Sequence, residues 1–154
     1  MTPAIRLLRD LGIPHEVREY VHDPSAGSYG LEAAAALGVP PAHVFKTLVA
    51  RGDRRLVVAM VPVSREVDFR ALAAAAGAKR AAMVDPAEAE RATGYVTGGI
   101  SPFAQKRSLP AVLDASAASL ARVWVSGGRR GLEVGLAPAD LVRVTGATLA
   151  PIAR

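Results

Sequence analysis

Val44-Phe45-Lys46-Thr47-Leu48-Val49-Ala50 and Leu56-Val57-Val58-Ala59-Met60-Val61-Pro62-Val63 are the segments on which the fold turns. Both are short, apolar and rich in β-branched residues, so each reads as a strand. Between them, Arg51-Gly52-Asp53-Arg54-Arg55 reads as a five-residue hairpin loop. Upstream, Thr2 and Pro3 open a helix that Gly12 closes, with Ala4, Leu7, Leu8 and Leu11 on one face. A strand over Val17 to Val21 and the turn-rich run His22 to Gly27 follow, then a short helix from Leu31 to Leu37 stopped by Gly38 and Pro40. Downstream, Phe69, Leu72, Ala73 and Ala76 mark a helix ended by Gly77, and Ala81 to Val84 reads as a strand. Asp85-Pro86-Ala87-Glu88 then has the form of a capping box opening a helix that stops at Gly94. Short strands at Val112 to Asp114, Val123 to Ser126 and Leu132 to Val134 alternate with glycine loops before a last helix near Pro138. Strands and helices mixed without regular βαβ alternation predict an α+β fold, a mixed, barrel-like β-sheet with several short helices packed around it.

The 154 residues suit a single domain, 1–154, long enough to bury a core. The apolar fraction of 51% overstates that core, because 31 of these residues are alanine; 18 valines and 15 leucines must carry the burial. No apolar run approaches the length of a membrane span, and the N-terminal Arg6, Arg9 and Asp10 do not resemble an export signal. The expectation is a cytoplasmic protein. With no cysteine there is no disulfide framework, thiolate metal site or cysteine nucleophile. His15, His22 and His43 lack ligand spacing, so neither metal nor cofactor is expected.

Lysine is the sharpest clue to chemistry. Sixteen arginines accompany only Lys46, Lys79 and Lys106. Alternation places Lys46 on the apolar strand face of Val44, Leu48 and Ala50, where an ammonium must be paired, desolvated or aimed into a cleft. An edge-strand lysine whose stem lies on apolar surface and whose head reaches water meets the same pattern. Gly98-Gly99-Ile100-Ser101-Pro102 and Ser126-Gly127-Gly128-Arg129-Arg130-Gly131 let backbone N–H groups approach a ligand, though neither is a P-loop or a dinucleotide fingerprint and each also suits a tight turn. Eight of the 19 cations fall in loop pairs, Arg54-Arg55, Lys79-Arg80, Lys106-Arg107 and Arg129-Arg130, which would rim a polyanion site if they share a face. Tyr20 and Tyr29 flank the turn-rich run, placed for base stacking or for core packing. No credible nucleophile–base pair is present.

Several of these stretches resemble the YbaK-type Cys-tRNA(Pro) deacylases, free-standing relatives of the editing domain inserted in bacterial prolyl-tRNA synthetase. The similar segments are Thr2-Pro3-Ala4, Tyr20 to Pro24, Phe45-Lys46-Thr47-Leu48, Thr93 to Phe103, Gln105-Lys106 and Val125 to Glu133. Tyr29 stands where relatives can carry phenylalanine. The resemblance implies trans-editing: hydrolysis of cysteine from mischarged tRNA(Pro), with the substrate's own thiol attacking the ester to give a thiolactone. That would explain why the chain lacks a nucleophile, since such a site needs positioning and charge stabilisation only.

By the same resemblance Lys46 is the catalytic residue, holding the terminal nucleotide or the charge on the leaving oxygen. Gly98, Gly99 and Ile100 would offer backbone groups to the aminoacyl moiety. Ser101 and Thr47 would add hydroxyls, and Pro102, Gly127 and Gly128 would complete the binding loops. Tyr20 and Tyr29 would wall the adenosine or the side-chain pocket, and Asp140 would hold the amino group or Lys46. The basic pairs would meet tRNA phosphates. Implied partners are the tRNA(Pro) acceptor end and a ternary complex with prolyl-tRNA synthetase, the chain itself being a monomer or weak dimer. Two alternatives stay open: a deacylase for another mischarged tRNA such as Ala-tRNA(Pro), and a non-catalytic module that binds tRNA or synthetase.

Overall fold

The computed structural model describes residues 1–154. The order is α1 (Pro3–Asp10), β1 (Glu16–Glu19), α2 (Tyr29–Leu37), β2 (Phe45–Gly52), β3 (Arg55–Pro62), α3 (Phe69–Ala76) and β4 (Ala81–Met83). Then come α4 (Pro86–Thr93), β5 (Ala111–Asp114), β6 (Val123–Ser126), β7 (Leu132–Leu136), α5 (Pro138–Thr145) and β8 (Thr148–Ala150). Pro41–His43 and Ala115–Ser119 form 3-10 turns. The fold is α+β, and the β-structure is two sheets rather than a closed barrel. One is five-stranded in the order β4-β2-β3-β5-β8, the other three-stranded in the order β1-β7-β6. β2 pairs antiparallel with β3 and β4, whereas β3–β5 and β5–β8 are parallel. A parallel bridge between Val44 and Trp124 links the two sheets.

β3 explains why its sequence is a near-continuous apolar run. It has a strand on each side and packing on both faces, so Leu56 through Pro62 are all buried. Val57, Ala59 and Val61 pack with Leu72 of α3. Val58 and Met60, on the alternate face, join the largest cluster with Phe45, Phe103 and Leu113. The hairpin is tighter than the expected five residues. β2 and β3 run on to the pair Gly52–Arg55, leaving Asp53 and Arg54 as the turn. Asp53 takes φ +57°, and its carboxylate is fixed by main-chain N–H groups of Lys79 and Arg80 at 3.0–3.1 Å. These bonds hold the Asp53 carboxyl below its ordinary range.

Local signals elsewhere hold with shifted ends. Thr2, Ser28 and Asp68 cap α1, α2 and α3 through side-chain acceptors, and Gly38, Gly77, Gly94 and Gly146 close four helices in the left-handed conformation. β1 ends at Glu19, leaving Val21 96% exposed. The capping box expected at α4 does not form. Asp85 makes no side-chain cap bond, and Glu88 turns away to pair with Arg51 of β2. No helix is long and apolar enough to cross a membrane.

The C-terminal segment, which carries no strand signal, is held by a buried acid. Asp114 Oδ1 accepts from the N–H of Ile152 at 2.9 Å and of Ala153 at 3.0 Å, while Oδ2 takes the Ser116 hydroxyl at 2.6 Å. Burial works to raise the Asp114 carboxyl, but the bonds from Ser116, Ile152 and Ala153 prevail and hold it below its ordinary value. Asp114→Ala orphans the buried N–H of Ile152 and the part-buried N–H of Ala153 and is expected to cost about 3 kcal/mol in urea denaturation at pH 7. Because the folded pKa lies below 3.8, the wild-type advantage is present above pH 4 and disappears as pH falls through the folded value. An alanine variant equal in stability to wild type at pH 7 would refute this anchoring.

Candidate active site

A cleft of about 330 Å³ opens where the two sheets part, between the start of β2 and the neighbouring strands β6 and β7. β4 pairs only with Ala50, Arg51 and Gly52. The first half of β2 therefore faces the cleft beyond the end of β4, and Val44 through Leu48 line it. Opposite stand Ser126, Leu132 and Glu133; Tyr20, Tyr29, Thr97, Gly98, Ile100 and Arg129 complete the wall.

Lys46 combines both readings of its strand position. Its side chain is three-quarters covered, and its Nζ emerges 3.3 Å from Oε2 of Glu66, whose own side chain is 75% exposed. Such an exposed pair holds the ammonium weakly, so a stronger anion can take it. Two of the residues lining the cleft each have a buried polar atom with no partner: Thr47 Oγ1 and Glu133 Oε2. Buried polar atoms are normally satisfied, so two orphans on one cavity mark a place where ligand groups complete the bonding. Burial raises the Glu133 carboxyl to about 8, so it is largely protonated at neutral pH when the cleft is empty. Burial, then the nearby Glu133 and Glu32, push the Tyr20 phenol to about 12, which keeps it a neutral donor.

The glycine loops interlock behind this wall. Gly98 has φ +86°, and a Cβ there would lie 2.7 Å from the Tyr29 ring; only glycine lets the tyrosine seat. A Cβ on Gly99 would meet the Arg129 main chain at 2.7 Å, so the 98–100 loop is packed on the 127–131 loop. Arg129 reaches Glu19 at 3.4 Å, and Arg130 places its guanidinium over Tyr29, 5.0 Å from the ring centroid.

Of the residues singled out from sequence, Lys46, Tyr20, Tyr29, Thr47, Gly98, Ile100 and Arg129 line the cleft. Others lie outside it. Ser101 is fully buried and its hydroxyl accepts from the Phe103 N–H. Pro102 lines a smaller recess with Gln105. Gly127 accepts the Thr2 hydroxyl through its carbonyl, and Gly128 packs beside Tyr95 and Thr2, so both tie the loop to α1. Asp140 sits on α5, bonded to Arg143 at 2.6 Å.

The basic pairs do not form one rim. Arg54-Arg55 and Lys79-Arg80 gather at the far end of the β2–β3 hairpin, six residues or roughly 20 Å along the strand from Lys46. Lys106 and Arg107 follow α4, their N–H groups bonded to the Thr93 and Ala92 carbonyls. Only Arg129-Arg130 stands at the cleft. Sequence reasoning missed Glu133, although the argument applied to Lys46 finds it: a charge between Leu132 and Val134 in an apolar strand needs a partner.

Residues 23–144 match the aminoacyl-tRNA editing domain. EbsC of Enterococcus faecalis, named as a Cys-tRNA(Pro)/Cys-tRNA(Cys) deacylase, is 34% identical over 153 residues, covering 98% of this chain and 92% of that protein. A solved structure named as a trans-editing enzyme for prolyl tRNA synthetase superposes with a TM-score of 0.86 at 26% identity, covering 100% of this chain and 99% of the other. Matched over most of its length by sequence and over all of it in structure, the chain belongs to the aminoacyl-tRNA editing domain family.

Proposed function

We propose that this protein is a free-standing editing deacylase that clears cysteine from tRNA(Pro), with Lys46 and Glu133 as the charged groups of its site. The observation that carries the reading is the pair of unpartnered polar atoms, Thr47 Oγ1 and Glu133 Oε2, in a cleft rimmed by a weakly held lysine. The lining contains no nucleophile with its base. His15 is bonded to the Ile13 carbonyl, His22 to Glu32, and His43 lies in a 3-10 turn; none of the three lines the cleft.

Glu133 matches the α-amino group of an aminoacyl ester. Raised to about 8 by burial, the carboxyl can give up its proton near neutral pH, the region in which α-amines also titrate. The two can share one proton, and the arriving ammonium makes the carboxylate affordable in a buried site. Thr47 Oγ1 is free to bond the ester or the ribose. The cysteine sulfur then attacks its own carbonyl carbon: the S–C bond forms, the C–O bond to the terminal ribose breaks, and the thiol proton ends on the departing hydroxyl. The thiolactone opens in water to cysteine. Lys46 stabilises the negative charge that develops on the leaving oxygen. The remote basic pairs serve phosphates of the acceptor arm, and prolyl-tRNA synthetase, as a partner, would supply recognition of the rest of the tRNA.

Hydrolysis of one tRNA(Pro) charged with cysteine, alanine or proline, with and without synthetase, tests this. The Cys form is expected to turn over at least about tenfold faster than the Ala form, because alanine has no internal nucleophile. Equal rates would remove the thiol route and favour water as the attacking group. No hydrolysis of any form would remove the deacylase assignment.

A further inference from the structure

Arg130 is held in an unusual way for a loop cation. Its Nε donates to the Thr97 carbonyl at 2.9 Å, and its guanidinium carbon lies over Tyr29, 5.0 Å from the ring centroid. It has no carboxylate within ion-pair distance, whereas Arg129 beside it is paired with Glu19. The support beneath is equally determined. Thr97 gives both its N–H and its hydroxyl to Glu90 Oε2 of α4, at 2.8 and 2.9 Å. Gly98 leaves only enough room for the Tyr29 ring, and Gly99 only enough for the main chain at the Arg129–Arg130 junction. His22 flanks the same ring at 5.4 Å and is itself bonded to Glu32. Five elements of the site therefore converge to fix one planar cation on one exposed aromatic ring at the cleft mouth.

A solvated phosphate contact needs none of this. A lysine meets phosphate as a point charge and an arginine fork meets it bidentately, and neither needs an aromatic ring beneath it. A guanidinium held over an aromatic ring is instead a surface of the kind on which unpaired RNA bases are received. We propose that Arg130, laid on Tyr29, is the platform for the nucleobase of the substrate's 3′-terminal nucleotide, and so acts as a positioning residue that sets the ester over Lys46 and Glu133. The proposal rests on the deacylase reading of the cleft and assigns Arg130 to a base rather than to a phosphate.

The test uses a phosphate-free probe, the stable amide 3′-cysteinylamino-3′-deoxyadenosine, and the same compound with the base removed. Binding is measured by calorimetry or by competition against Cys-tRNA(Pro) hydrolysis at several salt concentrations. Wild type should bind the adenosine compound at least about tenfold more tightly than the abasic one. Arg130→Ala and Arg130→Lys should both lose that preference, while their affinity for the abasic compound stays unchanged. In hydrolysis of full-length substrate the loss should persist at high salt, because stacking is not screened as a phosphate contact is. If Arg130→Lys restores wild-type behaviour, or if Arg130→Ala changes only the salt dependence, Arg130 is a phosphate contact and the proposal fails. Thermal unfolding of both variants separates a collapsed loop from a lost platform, and Thr97→Val, which removes only the hydroxyl bond to Glu90, should weaken the base preference in the same direction. Hydrolysis by wild type without any base preference would overturn the platform alone; absence of hydrolysis would overturn the deacylase reading itself.

Discussion

Lys46→Ala is expected to lower deacylation of Cys-tRNA(Pro) by at least about 10²-fold, the loss typical when a group stabilising transition-state charge is removed. The effect should fall on the single-turnover rate, since the developing charge on the leaving oxygen exists only in the transition state. Stability should change little. The Lys46–Glu66 pair is solvent-facing, and contacts of that type are worth roughly 0–1 kcal/mol. Lys46→Arg keeps the charge but replaces a compact ammonium by a longer, planar group on a strand face packed with Leu48 and Ala50. It should recover only a small part of the rate. A folded alanine variant with an unimpaired single-turnover rate would remove Lys46 from the mechanism.

Lys46 also shows what a sequence can disclose about such a site. Strand alternation put an ammonium among apolar neighbours, which is a local contradiction, and the structure resolves it with a covered stem and a head at the cleft mouth. Helices were legible for the same local reason: Thr2 caps and glycines stop, while the caps at Ser28 and Asp68 emerged only in the structure. Where the outcome depends on a distant partner, local signals mislead. Glu88 has the spacing of a capping-box acid, yet Arg51, 37 positions away, takes it. β8 and the C-terminal segment are invisible in sequence because β5 holds the one by strand pairing and Asp114 holds the other, at Ile152 and Ala153, through main-chain N–H groups, which carry no residue signature. The same holds for the site. Ser101 and Asp140 have suitable chemistry at suitable spacing, but one is turned inward and the other is engaged within its helix. The splitting of the β-structure into two sheets decides which residues face the cleft, and no pattern along the chain records where that split falls.

Glu133 should show opposite effects on stability and activity. Its folded pKa of about 8 is raised above the model-peptide value of 4.5. The favourable contribution of the protonated carboxyl is fully present below pH 4.5 and is lost as pH rises through about 8. Keeping a carboxyl protonated from 4.5 to pH 7 costs the fold on the order of 3 kcal/mol at 1.36 kcal/mol per pH unit. Glu133→Gln keeps the shape and never ionises. Chemical denaturation should therefore find it indistinguishable from wild type near pH 4 and more stable above pH 7, with the gap widening up to about pH 8 and then holding. The same variant cannot take a proton from, or pair with, an α-ammonium, so deacylation should fall by at least about 10²-fold with the protein better folded than before. Glu133→Asp tests reach against charge: it retains the carboxylate on a shorter stem and should keep more activity than glutamine. A stabilised Gln variant that still hydrolyses Cys-tRNA(Pro) at the wild-type rate would leave Glu133 as a buried acid without a substrate. A Gln variant with no added stability above pH 7 would mean that the carboxyl already has a partner in the folded protein. The predicted pairing of gain and loss follows from one fact, that Oε2 of the cleft-lining Glu133 is buried with nothing bonded to it, because the bond it lacks in the free protein is the one the substrate brings.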